Sequence, residues 1–382
     1  MKYIAPALLS LALASCHRPP TLPGDFEGPS GPGAGNQTIL SFQQIHVGET
    51  HACALVNSGR ALCWGSGGDL GDGKMEDQPT PVRVEGPLVF GKLDASGFTC
   101  GVTTNQQAWC WGSNTHGRLG DGTAQYQPFP TEVSTSSRLR VITTGSLHSC
   151  GITTEDELLC WGSNQAGQLG THPDTLSLLP LLMAPATRFR TADAGGLRTC
   201  AIEEGGATRC WGYDFGEDMV EIPGGIAFEQ ISLGGDHACG LDAEGRAWCF
   251  GGNSEGQLGD GTYDSTPPPG PPVPVATDER FVAISAGESH TCAITEGGDA
   301  WCWGADHFGQ LGDGDKTFGG DPDNKNVPTL VIRQNQFILF TTITAGRWAS
   351  CGTTLNGRGF CWGRGTGSSI RPNSNLPVEI GF

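Results

Sequence analysis

Charge is scarce in this chain. Only 16% of its 382 residues are Asp, Glu, Lys or Arg, and 22 Lys and Arg stand against 40 Asp and Glu, a net charge of -18. Few cations disfavour a nucleic-acid partner, because such affinity comes largely from Lys and Arg neutralising phosphates. They disfavour an anionic membrane surface as a direct ligand in the same way. An acidic surface of this kind keeps an exported protein soluble. Long apolar runs are missing too. None approaches the roughly 20 residues that span a bilayer, and none of length repeats with the 3.6-residue period of a buried helix face. Cysteines two to four residues apart, the usual zinc spacing, are absent. No nucleophile, base and acid stand together outside repeated positions. What is abundant is turn chemistry and sulfur: 60 Gly, 25 Pro and 15 Cys. That composition suits an all-β protein with many turns.

The chain begins MKYIAPALLSLALASC, with Lys2 the only charge before the apolar stretch from Ile4 to Ala14. This stretch has the length and flanks of a signal-peptide core. Leu13-Ala14-Ser15-Cys16 resembles the lipobox of bacterial lipoproteins. The resemblance implies a signal peptide at 1–15, cleavage before Cys16 and a lipid on that cysteine, so that the membrane is touched only through the anchor. His17 stands where an Asp would hold such a protein at the inner membrane, which points to the outer one. Residues 17–40 are mostly Pro, Gly and polar and cannot bury enough apolar surface to fold. Segment 16–40 is therefore expected to be a lipidated, flexible tether.

The other fourteen cysteines form seven pairs, each ten residues apart: Cys53/Cys63, Cys100/Cys110, Cys150/Cys160, Cys200/Cys210, Cys239/Cys249, Cys292/Cys302 and Cys351/Cys361. An odd-length hairpin loop places each pair directly opposite across two strands. A three-residue loop such as Glu296-Gly297-Gly298 should end in a left-handed residue. The third position is Gly59, Gly206, Gly245, Gly298 and Gly357 in five copies and Asp156 in a sixth; Gln106, in the second copy, suits it poorly. In this register the Cβ atoms come close enough for a disulfide. Export makes oxidation the expected state. Free buried thiols and a metal site are the competing readings.

First cysteines recur at intervals of 47, 50, 50, 39, 53 and 59 residues. A period near 50 points to a repeat architecture. Each unit runs through an apolar strand ending near a glycine, the cysteine hairpin, a glycine-rich turn and a Pro-Val strand. Four short strands repeated seven times predict a closed seven-bladed β-propeller over 41–382. WGSNTHGRLGDGT (111–123), WGSNQAGQLG (161–170), GGNSEGQLGDGT (251–262) and WGADHFGQLGDGD (303–315) resemble the repeat of the regulator of chromosome condensation. His51, His148, His237 and His290, each two before a cysteine, fit that pattern. The resemblance implies the same propeller; cysteine pairs in every blade are not part of the general pattern.

Repeated positions read as structure. The four histidines are expected to pack or to bond a turn. Trp64, Trp111, Trp161, Trp211, Trp303, Trp362 and Phe250 share one position and are expected in the core, with Trp109, Trp248 and Trp301 structural beside them. Gly68 to Lys74 matches the start of a phosphate-binding loop but lacks the following Ser or Thr, and its sister repeats lack the lysine, so it reads as a turn. Asp313, Asp315, Asp321 and Asp323 cluster in one insertion, where a solvated loop and a calcium site are both open. Sites should lie where the repeats depart from one another. The loops entering the hairpins share one face and carry Glu49, Asp236, Glu288 and Arg347-Trp348. Arg198 replaces the recurrent histidine in the shortened fourth unit.

These features lead to a monomeric, non-enzymatic binding or scaffold protein, exposed on the surface or in the periplasm, using no cofactor or metal. One propeller face would bind another protein. The resemblance implies such roles, since the family includes secreted propellers that inhibit β-lactamases and nuclear members that exchange guanine nucleotide on a small GTPase. The signal sequence and the lack of a basic tail separate this chain from the nuclear role. The alternative is a lectin or an enzyme acting on cell-wall or extracellular polysaccharide, which a carboxylate pair in a deep axial pocket would favour.

Overall fold

In every repeat a Phe or Leu opens the inner strand and a second apolar residue follows three positions later, as in Phe42 and Ile45. Strict alternation would put those two on opposite faces. The computed structural model shows both buried, because a β-bulge between Phe42 and Gln44 shifts the register by one. The same bulge recurs in all seven inner strands. The structure describes residues 41–381 except 171–174, 267–269, 316–322, 333–337 and 365–373. The signal segment, Cys16, the tether and Asp321 lie outside the described residues.

The fold is seven four-stranded antiparallel sheets. The first blade comprises Phe42–Val47, His51–Val56, Ala61–Gly65 and Gln78–Arg83. The remaining inner strands are Phe90–Ala95, Leu139–Thr144, Phe189–Gly195, Phe228–Leu233, Phe281–Ala286 and Phe340–Ala345. Outer strands such as QPTPVR and QPFPTE hold the prolines, which an edge tolerates because their missing N–H is needed by no neighbour. Helix is limited, among the described residues, to two three-residue 3₁₀ turns, Gly67–Asp69 and Thr115–Gly117. The first overlaps the start of the Gly68–Lys74 segment, which leads to a strand, not to a phosphate-binding helix.

All seven cysteine pairs are disulfides between the second and third strands of a blade: Cys53–Cys63, Cys100–Cys110, Cys150–Cys160, Cys200–Cys210, Cys239–Cys249, Cys292–Cys302 and Cys351–Cys361. The paired residues are directly opposed, with Cα atoms 4.1 Å apart. That separation belongs to a pair without mutual backbone hydrogen bonds, where opposed side chains come closest. The readings as free thiols and as a metal site are thereby set aside for these fourteen residues. The hairpin loops have three residues, and the third is left-handed in every copy. Gln106 adopts φ 67° despite its side chain. The other six loops carry Gly or Asp there, so the turn geometry prevails over the local preference of one residue.

Blades are bonded through the repeated residues. His148 Nε2 lies 2.8 Å from Thr199 Oγ1 of the next blade. Thr199 donates in turn to the Gln168 carbonyl at 2.9 Å, which also accepts from Trp211 Nε1 at 2.9 Å. The hydroxyl proton is committed to the carbonyl, so His148 must donate from Nε2. His51, His237 and His290 make the equivalent contacts to Thr99, Thr291 and Ser350. Burial pushes the pKa of His148 and of His290 down to about 3, which keeps the donating neutral tautomer.

The repeated tryptophan and the glycine-rich turn are two halves of one contact. A Cβ on Gly71, Gly120, Gly259 or Gly312 would fall 2.6–2.8 Å from the indole of Trp111, Trp161, Trp303 or Trp362 in the next blade. These glycines are also left-handed, so both space and φ demand glycine. The fourth unit has no such turn. There Phe215 packs edge-on against Phe250 at 6.3 Å, and Phe250 is the smaller ring at the tryptophan position. The short unit is thus compensated by its neighbour.

Each blade is built from contiguous strands, and the ring closes without strand exchange. Phe42 N–H donates to the Gly357 carbonyl at 2.8 Å, and Thr344 donates to the Ile45 carbonyl at 2.6 Å. Phe42, Ile45, Trp64 and Ile380 cover the seam with Cys351 and Cys361.

Candidate binding face and axial channel

The seven inner strands converge on an axial channel of about 130 Å³. Convergence at one mouth depends on small residues. A Cβ on Gly48, Gly195, Gly234 or Gly287 would stand 2.2–2.3 Å from a carbonyl oxygen of the adjacent blade. Backbone bonds then link successive entry loops, such as Glu49 N–H to the Ser96 carbonyl and Ser146 N–H to the Gly196 carbonyl, both 2.9 Å. The loops singled out in the sequence therefore share one end of the channel. Glu49, Ser96, Ser146, Gly196, Gly235, Glu288 and Arg347 line it.

Two positions inside the mouth, each inner strand carries a polar residue: His46, Asp94, Thr143, Asp193, Ser232, Ser285 and Thr344. Most reach into the next blade. Asp94 accepts from Thr144 N–H at 2.7 Å, Asp193 from Leu233 N–H at 2.7 Å, and Ser232 and Ser285 from Ala286 and Ala345 N–H at 3.0 Å. Thr143 accepts from Ala194 N–H at 2.9 Å and donates to Asp193 at 2.9 Å. His46 Nδ1 stands 3.5 Å from Asp94. The channel thus does hold two carboxylates, and each occupies the bonding position that serine hydroxyls fill elsewhere in the ring.

Burial, and then the nearby Asp94 charge, push Asp193 up to about 7. A carboxyl raised above its unfolded value binds more protons folded than unfolded between about pH 4 and 7. Its contribution is fully present at low pH and declines as pH rises through that window. Asp193→Asn keeps an acceptor for Leu233 and removes the titration. We expect the variant to gain on the wild type as pH rises, by at most about 1.4 kcal/mol per unit. Urea unfolding of both proteins at pH 5 and pH 8 tests this; parallel stabilities would refute the assignment.

Comparisons with known proteins agree with the repeat unit. Two profiles of the regulator of chromosome condensation (RCC1) repeat match the chain, one at 42–69, 141–168, 228–257 and 281–310, the other at 105–152, 244–294 and 297–352. Together they cover more than half of it. The chain belongs to the regulator of chromosome condensation repeat family. The ultraviolet-B receptor UVR8 of Arabidopsis thaliana is 27% identical over 285 residues, which are 72% of this chain and 43% of the receptor. The chain thus matches less than half of that relative's length. Among solved structures, human WBSCR16 superposes with a TM-score of 0.70 at 16% identity, over 81% of this chain and 86% of that one. Prp20p of Saccharomyces cerevisiae gives 0.66 at 20% identity, over 79% and 80%. At these identities the structures establish the fold alone.

Set against the RCC1 repeat, the departures at the mouth are unevenly placed. Asp236 and Glu288 are exposed on one arc. Burial opposes ionisation of Asp236, but the His237 ring beside it and the hydrogen bond from Gln257 Nε2 at 3.0 Å prevail and hold its pKa below the ordinary value. Blade seven carries the opposite charge. The Arg347 guanidinium lies 4.4 Å over the Trp348 ring, and Arg364 lies 4.5 Å over the same ring. Phe308, from the blade-six turn, stands 5.7 Å from Trp348. Arg364 and Phe308 escaped the sequence reading because they are distant along the chain. Arg364 N–H donates to the Trp348 carbonyl at 2.8 Å, the hairpin register that brings them together.

Arg198, expected from the sequence at the interface, is instead buried beneath the mouth loops. It donates to the Gly235 carbonyl of the next blade at 2.7 Å and pairs with Asp214. It replaces the inter-blade reach of the missing histidine. The paired cysteines singled out in the sequence serve the disulfides expected of them. Cys63, Cys110, Cys160, Cys210, Cys249 and Cys302, the second members of six pairs, are fully buried and lie in the blade cores, away from the channel lining and the mouth. The physical reason is the pleat: each cysteine alternates with Trp or Phe on the third strand, and both faces of that strand are covered by neighbouring blades. Their role is confined to the disulfide and the packing around it. Cys361, in the last blade, is half-buried.

Arg118, which the sequence did not single out, acts like Arg198: its guanidinium donates to the Ser146 and Gly97 carbonyls beside the mouth. In the acidic insertion, Lys325 Nζ lies 2.8 Å from Asp315, 2.7 Å from Asp323 and 3.7 Å from Asp313. An ammonium thus takes the place considered for calcium. Among the described residues no group of three or more His, Cys, Asp or Glu is arranged to hold a metal ion.

Proposed function

We propose that this chain is an exported, lipid-anchored scaffold that presents the mouth of its propeller, with Glu49, Asp236, Glu288, Arg347 and Trp348, to a protein partner. The observation that carries the reading is the break in seven-fold repetition at one mouth. Histidines, tryptophans and turn glycines repeat and are consumed in blade contacts. The cation–aromatic cluster of blade seven does not repeat, is partly exposed and adjoins an acidic arc. Arg and Trp are the residue types that dominate interface energetics. Prp20p, of the same fold, is described by its binding to Gsp1p and histones, which supports protein binding as a use of this scaffold. Seven disulfides suit an oxidising compartment and leave Cys16 free for lipid. The lectin or polysaccharide-enzyme reading would draw on Asp94 and Asp193, but both carboxylates are engaged in holding adjacent blades.

The test is cross-linked capture from native envelope extract with the full chain, beside the Arg347→Ala/Trp348→Ala double variant. The captured protein is then purified and titrated against both. We expect at least about a tenfold loss of affinity in the variant. A partner bound equally by both would move the site elsewhere. Lipid labelling that survives Cys16→Ser would refute the anchor.

A further inference from the structure

We infer that the Arg347–Trp348–Arg364 stack is a receptor for carboxylate side chains, so that the partner of this face presents an acidic segment to blade seven. The inference rests on the mouth being the binding face. Two guanidiniums share one indole, at 4.4 and 4.5 Å, and Arg364 also lies 5.1 Å from the Phe308 ring. Stacking uses the faces of a guanidinium and leaves its N–H fork available at the edge. Two like charges on one ring repel each other unless an anion joins them.

The chain does not supply that anion well. Glu49 approaches Arg347 only to 3.6 Å, beyond a hydrogen bond, and Arg347 Nε is shielded from water without a partner. Among the described residues the exposed Arg364 makes ring contacts and no ion pair. Several other arginines of this acid-rich chain are matched closely: Arg140 to Asp156, Arg209 to Glu203, Arg358 to Glu379. A cationic, aromatic-backed patch on a chain of net charge -18 is complementary to a short acidic segment. Carboxylates match the guanidinium fork in bidentate fashion. Phosphates match it too, but a polyphosphate backbone brings more charge than two arginines offset on so acidic a molecule. Glu288, in the entry loop beside blade seven, where its N–H donates to the Gly346 carbonyl at 3.1 Å, and Asp236, one blade further round, repel the same segment and so fix its orientation. Glu49 competes with it for Arg347.

Calorimetric titration of the full chain tests the assignment, with octaglutamate, octalysine and an eight-nucleotide oligothymidylate as probes. We expect saturable octaglutamate binding at low ionic strength that is lost at about 0.5 M salt. Arg347→Gln/Arg364→Gln should weaken it at least about tenfold, whereas Glu49→Gln should tighten it about threefold or more. Melting curves confirm that these partly exposed substitutions leave the fold intact. Absence of octaglutamate binding, binding indifferent to the arginines, or tighter binding of the oligothymidylate would overturn the inference. So would a Glu49→Gln variant that binds more weakly. If octaglutamate fails while the captured protein still depends on Arg347 and Trp348, the binding face stands and only the carboxylate assignment falls. If the captured protein ignores both residues but octaglutamate behaves as expected, the reverse holds.

Discussion

Unfolded in reductant and diluted back, the chain should fail to regain a cooperative fold, whereas the oxidised chain should recover it. The expectation follows from loop closure. Each disulfide closes a hairpin of ten-residue separation, and such a closure contributes roughly 3 kcal/mol by restricting the unfolded chain. Seven of them sum nominally to about 20 kcal/mol, more than the 5–15 kcal/mol by which an ordinary domain is stable. The sulfurs also fill space. All fourteen cysteines are buried or nearly so, and Cys53 and Cys292 touch the hydroxyls of Thr99 and Ser350 in the next blade, both at 3.4 Å. Burial further means that reductant acts only through an opened state, so the comparison must begin from unfolded chain. The tryptophans report refolding. A reduced chain that melts cooperatively within a few degrees of the oxidised one would show that blade contacts suffice. The Cys150→Ala/Cys160→Ala pair isolates one closure and should lose about 3 kcal/mol.

The spacing of the cysteines carried most of the fold in advance. Ten residues with a loop-ending glycine specify an odd-length hairpin, and an opposed pair in that register follows from the two-residue period of a strand. Spacing along one hairpin is silent, however, on what covers it, so the complete burial of Cys63 and its counterparts emerges only with the neighbouring blades. The tryptophans and histidines were legible as structure because they recur. What repetition could not disclose were contacts between different repeats. Gly120 and Trp161 are 41 positions apart and belong to different motifs, yet neither is explained without the other. The channel ring was hidden for the opposite reason. Its positions hold His46, Asp94, Thr143, Asp193, Ser232, Ser285 and Thr344, with no one residue type, because five of them need only accept an N–H of the next blade, while Thr344 donates to the Ile45 carbonyl. Arg198 misled because a departure from the repeat was read as exposure, whereas the long side chain spans the same gap by another route. Lys325 meets Asp315 ten positions away, a contact that residue spacing does not show. The stack at Trp348 was half legible: Arg347 adjoins it in sequence, but Arg364 and Phe308 reach it through hairpin register and blade packing.

The second large effect concerns that inter-blade contact. Trp161→Ala should lower unfolding free energy by about 3–5 kcal/mol, the range for removing a buried large aromatic. Trp161 is fully buried, covers Gly120 and donates from Nε1 to the Arg118 carbonyl at 2.9 Å. Ser149 still donates to that carbonyl at 2.8 Å, so the main deficit is the cavity between blades two and three. Arg118 grips the mouth loops from the same turn, so binding at the mouth should weaken along with stability. The fourth unit supplies the discriminating control. If turn and ring are matched by volume, Phe250→Trp alone should overpack against Phe215 and destabilise by about 1–3 kcal/mol. Phe215→Gly alone should open a gap. Combining them gives the indole the space that the Phe215 ring vacates, and the double variant should be more stable than the two single effects predict, by about 1 kcal/mol or more. Urea denaturation of the four proteins measures that coupling. Strict additivity would mean that the phenylalanine pair is an accident of a divergent repeat, and the account of the tryptophan position as half of a cross-blade contact would fail with it.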